Sequence, residues 1–443
     1  MGPKQSLLTL ILSFLIFSLI LTSFSTFANL DKSPLSIDST VSYKSHPSIV
    51  IDSNDDFGVT GYSFNGSGTI HDPYIIANYN FISSSSYLIY IENTGVHFKI
   101  VNNIFDGVNL SFDAIYLNNV SNGKICNNRF KNHNHAISLE KSTNILIQMN
   151  HITSSNRGIY LYPQSSHNTI IDNLMLNNNH HGIFLESGSS YNILRGNKIE
   201  TIINGCGIYI TKANHNKIDN NTIRSTSAST IHLGDCVNNT VSANNVSGNG
   251  IVISHSSYLK ILSNIVKFTA EDPEEPGYSG AIEIYMSDYI YLFNNYVSNR
   301  PGWLDCFYLC FAHYNTLENN TLYCNDSYGF SLYPTTSYNS IKGNNIYGTT
   351  DPEVTSFARD KGFSNTFSMN YWEGFTDPDL DGDGFVDNNY YIDGDAGNFD
   401  PLPLTEPNSH DLSDPTIIFP NGGEILNGTV IVQLNLLKTP KNL

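Results

Sequence analysis

Two glutamates, Glu140 and Glu186, end short runs of similar sequence, "AISLE" and "GIFLE". If each run is a β-strand and the two lie two repeats apart in a stack, their backbones are roughly 9.6 Å apart. Inverting glycosidases hold a general acid and a general base about 6.5–9.5 Å apart, with a water molecule between them. The pair is therefore a candidate acid and base for hydrolysis of a glycosidic bond. Two solvated surface charges would fit the same spacing.

Aromatic side chains occupy neighbouring positions of the same runs. In each Gly/Ala-Ile-x-Leu-x run, alternation with period 2 sends Ile and Leu to one side and the two x positions to the other. The aromatic residues at these x positions include Tyr116, Tyr160, Tyr162, Phe184 and Tyr209. Flat rings, which in Tyr carry a polar tip, suit sugar rings laid end to end, so we expect these residues to bind an extended glycan. Packing of each ring against its neighbour would produce the same pattern.

A third candidate site lies in the acidic stretch "DPDLDGDGFVDNNYYIDGDAGNFD" at residues 377–400. Asp379, Asp381 and Asp383 alternate with other residues, and Asp387 follows four residues later. This spacing brings several carboxylates around one point, as calcium-binding loops do. The twelfth position carries no Glu, so the stretch is not an EF-hand. We expect these four aspartates to bind calcium, with a solvated acidic linker as the alternative.

The first two candidate sites belong to a sequence that repeats about every 24 residues. An apolar-x-x-Asn-x-apolar mark recurs from Asn103 to Asn370 in steps of 20 to 31 residues, and two further short strand-like runs lie between successive marks. Three short strands per repeat, with each coil stacked on the last, predict an all-β right-handed parallel β-helix of about twelve coils. The Asn marks are expected to form a hydrogen-bonded ladder at a tight corner.

A column of polar residues precedes the Gly or Ala of successive Ile-x-Leu runs. Its members are His135, Arg157, His181 and Cys206. Two histidines that lie two coils apart are too distant to share one metal ion directly. We therefore expect a hydrogen-bonded column at one corner of the coils.

The chain divides into five segments. We expect a signal peptide at 1–28, an N-terminal lead-in or cap at 29–80, the β-helix at 81–372, an Asp-rich closing element at 373–407 and an incomplete immunoglobulin-like segment at 408–443. The last assignment rests on the stretch "DPTIIFPNGGEILNGTVIVQLN", which resembles the opening strands of immunoglobulin-like modules. The first segment has the basic residue, apolar run and small residues of an export signal, so we expect a secreted, periplasmic or cell-surface protein with no membrane span after cleavage. Because the apolar run is long, an uncleaved anchor is the alternative. The six cysteines would then lie where disulfides are allowed, with buried free thiols as the alternative, and the sequence does not give their pairing.

The net charge of −18 argues against a nucleic-acid partner, because phosphates would be repelled. The sequence leaves the oligomeric state open.

Three stretches resemble the exported NosD-type β-helix proteins of the carbohydrate-binding-and-sugar-hydrolase (CASH) group. They are "GYSFNGSGTIHDPYIIANYNF" at 61–81, the Asn-marked coils, and "NYWEGFTDPDLDGDGFVDNNYYI" at 370–392. The resemblance implies extracellular or periplasmic placement and frequent association with polysaccharides. The family name is tied to maturation of a copper enzyme. This sequence has only five Met and dispersed His, so we do not expect a copper role here.

Together these features predict non-catalytic recognition of a polysaccharide or cell-surface glycan through an exposed aromatic stripe. One alternative is a polysaccharide-degrading hydrolase or lyase that uses acids on the same face, with Glu140 and Glu186 as catalytic residues. A further alternative is a surface or adhesion protein whose partner is another protein.

Overall fold

The computed structural model describes residues 42–58, 61–83, 87–201, 205–225, 228–269, 280–299, 304–349 and 356–408. The predicted signal peptide and the immunoglobulin-like segment after residue 408 lie outside these ranges. Within them, no helix is long and apolar enough to cross a membrane.

The described chain forms three parallel sheets, which it visits in the order A, B, C on every coil. Sheet A contains Lys44–His46, Tyr79–Ser83, Ile104–Gly107, Arg129–Lys131, His151–Thr153, Leu174–Asn178, Lys198–Thr201, Thr222–Ser225, Asn245–Gly248, Ile265–Phe268, Tyr296–Ser298, Thr321–Asn325, Asn345–Thr349 and Tyr371–Trp372. Sheet B contains Ile49–Ile51, Ile89–Thr94, Ile115–Val120, His135–Glu140, Arg157–Leu161, Ile183–Leu185, Ile208–Thr211, Ile231–Gly234, Ile251–Ser254, Gly280–Tyr285, Asp305–Cys310, Phe330–Leu332 and Ala358–Asp360. Sheet C contains Tyr74–Ala77, Phe98–Val101, Gly123–Cys126, Leu146–Gln148, Thr169–Ile171, Ile193–Arg195, Lys217–Asp219, Thr240–Ser242, Lys260–Leu262, Tyr291–Phe293, Thr316–Glu318, Ser340–Lys342 and Thr366–Ser368.

Alternation within these strands builds the core. Ile137 pairs with Ile115 on the preceding coil, Leu139 pairs with Leu117, and all four side chains are fully buried. A single coil cannot enclose these side chains alone, so each coil depends on its neighbours. The prediction of an all-β parallel β-helix is confirmed.

One corner of each coil from Asn103 to Asn370 is held by the predicted asparagine ladder. The backbone N–H and the side-chain Nδ2 of Asn197 donate to Oδ1 of Asn221 at 2.9 and 3.0 Å, and Nδ2 also donates to the carbonyl of Ile170 at 2.9 Å. The residue before the mark has a left-handed backbone, as at Asn220 with φ of 54°, which turns the chain sharply. The ladder thereby gives hydrogen-bond partners to buried backbone groups at a corner, where β-sheet pairing does not reach them.

The two ends of the rod are closed by aromatic side chains. The parallel sheets begin at Lys44, ahead of residue 81 where the sequence analysis places the start of the β-helix. A 3-10 helix at Asn54–Phe57 brings Phe57 against Tyr74, with ring centroids 5.1 Å apart. At the other end an antiparallel pair, Tyr390–Tyr391 and Phe399–Asp400, follows the last coil.

Candidate functional site

The candidate glycan-binding and catalytic residues lie on the outward face of sheet B. Parallel pairing aligns Tyr116, Ser138, Tyr160, Phe184 and Tyr209 at one position of successive coils. The second outward position holds Glu140 at the end of its strand, and Tyr162 and Glu186 directly after theirs. The predicted columns are therefore present.

The aromatic column is more buried than an exposed stripe would be. Tyr160 is 7% exposed and Phe184 is 8% exposed. Their rings stack with centroids 4.8 Å apart and planes within 4°, and Phe184 stacks in turn on Tyr209 at 5.0 Å. The spacing of adjacent strands, about 4.8 Å, matches the distance for ring stacking, so the ring faces cover one another. Tyr116, Tyr162 and Tyr209 remain half-buried.

Each glutamate accepts a hydrogen bond from a tyrosine on the coil before it. The Tyr116 hydroxyl donates to Glu140, and the Tyr160 hydroxyl donates to Glu186. The bond from Tyr116, aided by Lys141 at 3.3 Å, lowers the pKa of Glu140 against the opposing effect of burial. Burial and the hydrogen bond to the carboxylate raise the pKa of Tyr116. These groups form two ordered phenol and carboxylate pairs.

The pKa of Glu140 bears on its suitability as a catalytic acid. A general acid in a glycosidase needs a raised pKa so that it holds a proton near neutral pH. The lowered pKa of Glu140 keeps this carboxyl ionised. That state suits a base or a hydrogen-bond acceptor.

A polar cluster lies beside these pairs and includes Asp113, which the sequence analysis did not identify. His135 Nδ1 is 2.9 Å from an Asp113 carboxylate oxygen, and Ser138 donates to the other oxygen at 2.7 Å. Arg157 Nη1 lies 2.9 Å from His135 Nε2. Arginine has only donors, so Nε2 accepts from Arg157 and Nδ1 carries the proton of the ring. The hydroxyl oxygen of Ser138 is the hydrogen-bond partner of Nδ1, at 3.2 Å. Asp113 occupies the position of His135 one coil earlier, which is the signal that would have identified it.

Arg157 joins this cluster to the aromatic column. Its guanidinium carbon lies 5.2 Å from the Tyr160 ring centroid and 5.5 Å from that of Phe184, which places the cation close to both rings, beside the stacked pair. On the next coils, the backbone N–H of Cys206 donates to Nδ1 of His181 at 3.0 Å. The predicted hydrogen-bonded corner column is confirmed at these contacts.

Two half-buried histidines in this region, His181 and His232, should make the fold sensitive to acid. Burial lowers the pKa of His181 and of His232 to about 4 each. In an unfolded chain the pKa of histidine is near 6.5. Between pH 6.5 and 4 the unfolded chain therefore binds protons at these histidines that the folded chain does not bind. The free energy of unfolding should therefore fall by about 2–3 kcal/mol per histidine as the pH drops to 4.

Denaturant titrations of the wild type and of His232→Gln from pH 7 to pH 4 check this expectation. The variant should lose less stability over that range. His71→Gln, at an exposed position, is the control and should follow the wild type. Parallel curves for all three proteins would contradict the prediction.

A second aromatic column lies at the corner between sheets B and C. Tyr258, Tyr289, Tyr314 and Tyr338 follow one another on successive coils and are 46–54% exposed. Their rings stack at 5.0 to 5.2 Å. These tyrosines are not among the predicted site residues, because they lie outside the Ile-x-Leu runs.

The acidic loop brings together three of its four predicted calcium ligands. One carboxylate oxygen from each of Asp379, Asp381 and Asp383 lies within 4.8 Å of the others. Asp387 is outside this group and accepts a hydrogen bond from the backbone N–H of Leu380 at 2.7 Å. Clustered carboxylate oxygens on an exposed loop fit the ligand preference of calcium.

The fold and these geometries can be compared with known proteins. No curated protein matches this chain. A mutant tailspike protein of E. coli bacteriophage HK620, in complex with a pentasaccharide, is similar to 66% of this chain and 68% of its own, with 11% identity and a TM-score of 0.45. The A-module of the Azotobacter vinelandii mannuronan C-5 epimerase AlgE6 is similar over 68% of this chain and 84% of its own length, with 14% identity and a TM-score of 0.49. A mutant DFA-IIIase from Arthrobacter chlorophenolicus A6, in complex with DFA-III, is similar over 63% of this chain and 74% of its own length, with 12% identity and a TM-score of 0.39.

The family comparison gives the clearer result. A model described as "Right handed beta helix region" matches residues 58–206 and 205–377. These matches cover most of the chain and agree with the three parallel sheets and with the predicted handedness. The NosD-type subgroup and the immunoglobulin-like segment stay predictions. This chain belongs to the family of right-handed β-helix proteins.

Proposed function

We propose that this protein binds a polysaccharide or a cell-surface glycan along the outward face of sheet B. The observation that carries the proposal is the repeated phenol and carboxylate pair, Tyr116 with Glu140 and Tyr160 with Glu186. Carboxylates accept hydrogen bonds from sugar hydroxyls, and half-buried tyrosines offer apolar edges beside them. A surface on which the same pair of groups recurs two coils further on suits a polymer that repeats its sugars.

The alternative is a glycan-degrading enzyme that uses the same two glutamates. The ionised state of Glu140 supports a base or binding role for it. An acid role would fall to Glu186, which already accepts the Tyr160 hydrogen bond. The geometry therefore supports recognition better than hydrolysis, and one assay can measure both.

The test applies the wild-type protein, Glu186→Gln and Tyr162→Ala to immobilised polysaccharides, with retention and release of reducing ends both recorded. We expect retention without release, and an affinity about tenfold weaker in each variant, since the loss of one good contact is worth about 1.4 kcal/mol. The control is Tyr323→Ala, a stacked tyrosine on the outward side of sheet A, which should bind as the wild type does.

Other outcomes would overturn the proposal. Unchanged affinity in both variants would show that the glycan does not bind on sheet B. A further variant, Tyr314→Ala, then tests the corner column, and a loss of affinity in this variant alone would favour binding there. Release of reducing ends that disappears in Glu186→Gln would make the protein an enzyme. If the protein is not retained and releases no reducing ends, the result would favour a protein partner.

We also propose that Asp379, Asp381 and Asp383 bind calcium. Binding to the folded state alone should stabilise the closing element by about 2.7 kcal/mol at a free calcium concentration 100 times the dissociation constant. The measurement is the melting temperature in calcium and in chelator, which should be higher in calcium for the wild type. Asp381→Asn with Asp383→Asn should abolish the difference. A wild-type melting temperature that calcium leaves unchanged would contradict this proposal.

A further inference from the structure

Cys306 and Cys324 bring their sulfur atoms together inside the rod. Their Sγ atoms are 3.3 Å apart, and both side chains are fully buried. Cys306 lies in the sheet B strand Asp305–Cys310, and Cys324 lies in the next sheet A strand, Thr321–Asn325, after the intervening sheet C strand Thr316–Glu318. We propose that these two cysteines form a disulfide bond, which would close one coil of the β-helix into a covalent ring.

The surroundings of the two thiols favour this bond. A disulfide has a sulfur–sulfur distance of about 2.05 Å, so the two atoms need to approach by only about 1.3 Å. Glycine at position 329 leaves room for the adjustment, since a Cβ there would lie 3.1 Å from Cys324 Sγ. The 18-residue separation of the two cysteines spans most of one coil. The crosslink therefore joins two sheets that the fold already holds side by side.

The oxidant belongs to the class of small-molecule disulfides, such as oxidised glutathione. One cysteine thiolate attacks the glutathione disulfide, forms a mixed disulfide and releases one reduced glutathione. The second cysteine attacks that mixed disulfide and releases another. Two S–H bonds and the glutathione S–S bond break, while one protein S–S bond and two glutathione thiols form. The two electrons pass from the cysteines to glutathione.

Burial decides when this exchange takes place. The attacking species is the thiolate, and burial together with the neighbouring Cys306 raises the pKa of the Cys324 thiol. The exchange therefore belongs to the stage of folding at which this coil is still open to solvent. After the coil closes, the bond is shielded from reductants.

The experiment refolds the full chain from denaturant, with oxidised glutathione in one sample and dithiothreitol in the other. The folded fraction is isolated, unfolded in iodoacetamide without reductant, and mapped by mass spectrometry after proteolysis. We expect four alkylated cysteines and a linked peptide pair containing Cys306 and Cys324 in the first sample. All six cysteines of the chain should be alkylated in the second.

Cys324→Ala is the matched control, and its refolded chain should carry five alkylated cysteines, Cys306 among them. A second measurement does not depend on that variant, because the wild-type sample refolded in oxidised glutathione should melt at a higher temperature than the one refolded in dithiothreitol. Six alkylated cysteines in the oxidised wild-type sample, or a linkage of Cys306 or Cys324 to any other cysteine, would overturn the proposal. The bond is independent of the glycan proposal, so the failure of one leaves the other standing.

Discussion

Asp400→Ala is expected to lower the free energy of unfolding by about 3–5 kcal/mol, since each buried donor left without an acceptor costs about 1–3 kcal/mol. Asp400 is the last rung of the asparagine ladder, and its fully buried carboxylate accepts from the backbone N–H and from Nδ2 of Asn370, both at 3.0 Å. It also accepts from Trp372 Nε1 at 3.2 Å and from the backbone N–H of Met369 at 3.1 Å. Denaturant unfolding followed by circular dichroism measures the loss.

Two variants separate the role of this carboxylate from a general loss of charge. Asp400→Asn keeps one acceptor oxygen and should lose less stability than Asp400→Ala. Asp395→Ala removes an exposed aspartate of the same closing element and should change stability by less than about 0.5 kcal/mol. Equal stabilities of Asp400→Ala and Asp395→Ala would show that the ladder does not depend on this last rung.

Phe105→Ala is expected to lower the free energy of unfolding by about 3–5 kcal/mol, the range for removal of a buried phenylalanine ring. Phe105 is fully buried between Phe81 and Phe130, with ring centroids at 5.0 and 4.7 Å. The loss affects three coils, because both neighbouring rings lose a stacked face. The same denaturant titration measures it.

The control for this core position is Phe112→Ala. Phe112 is 36% exposed and lies outside the stack, so its removal should cost much less. Phe105→Leu fills part of the space and should fall between the two. A Phe105→Ala protein as stable as Phe112→Ala would mean that the coils relax to close the cavity, and would contradict the expectation.

The period of the sequence determined the architecture. A mark such as Asn197 recurs once per coil, and the alternation around Ile137 and Leu139 separates inside from outside. Both are local properties, because a coil of fixed length places equivalent residues directly above one another. The asparagine ladder and the columns of sheet B follow from the same rule.

The closing rung and the cysteine pair were decided by tertiary structure alone. Asp400 completes the ladder although it lies 30 residues beyond Asn370 and outside the repeat. Cys306 and Cys324 meet because two different sheets approach each other inside the rod, and their spacing in the sequence does not distinguish them from the other cysteines. Contacts of this kind depend on how the chain returns after the last coil and on how the sheets pack across the interior.

The sequence also could not predict how far the outward side chains of sheet B are exposed to solvent. Alternation correctly placed Tyr160 and Phe184 on the outward side of sheet B, yet their rings are buried because coils about 4.8 Å apart let aromatic faces stack. An outward position fixes only the direction in which a side chain leaves the backbone. Its contact with solvent depends on the side chains of the neighbouring coils. The sequence by itself thus determined the coil, its register and its inward residues, and the packing of coil on coil decided which outward groups remain available to a ligand.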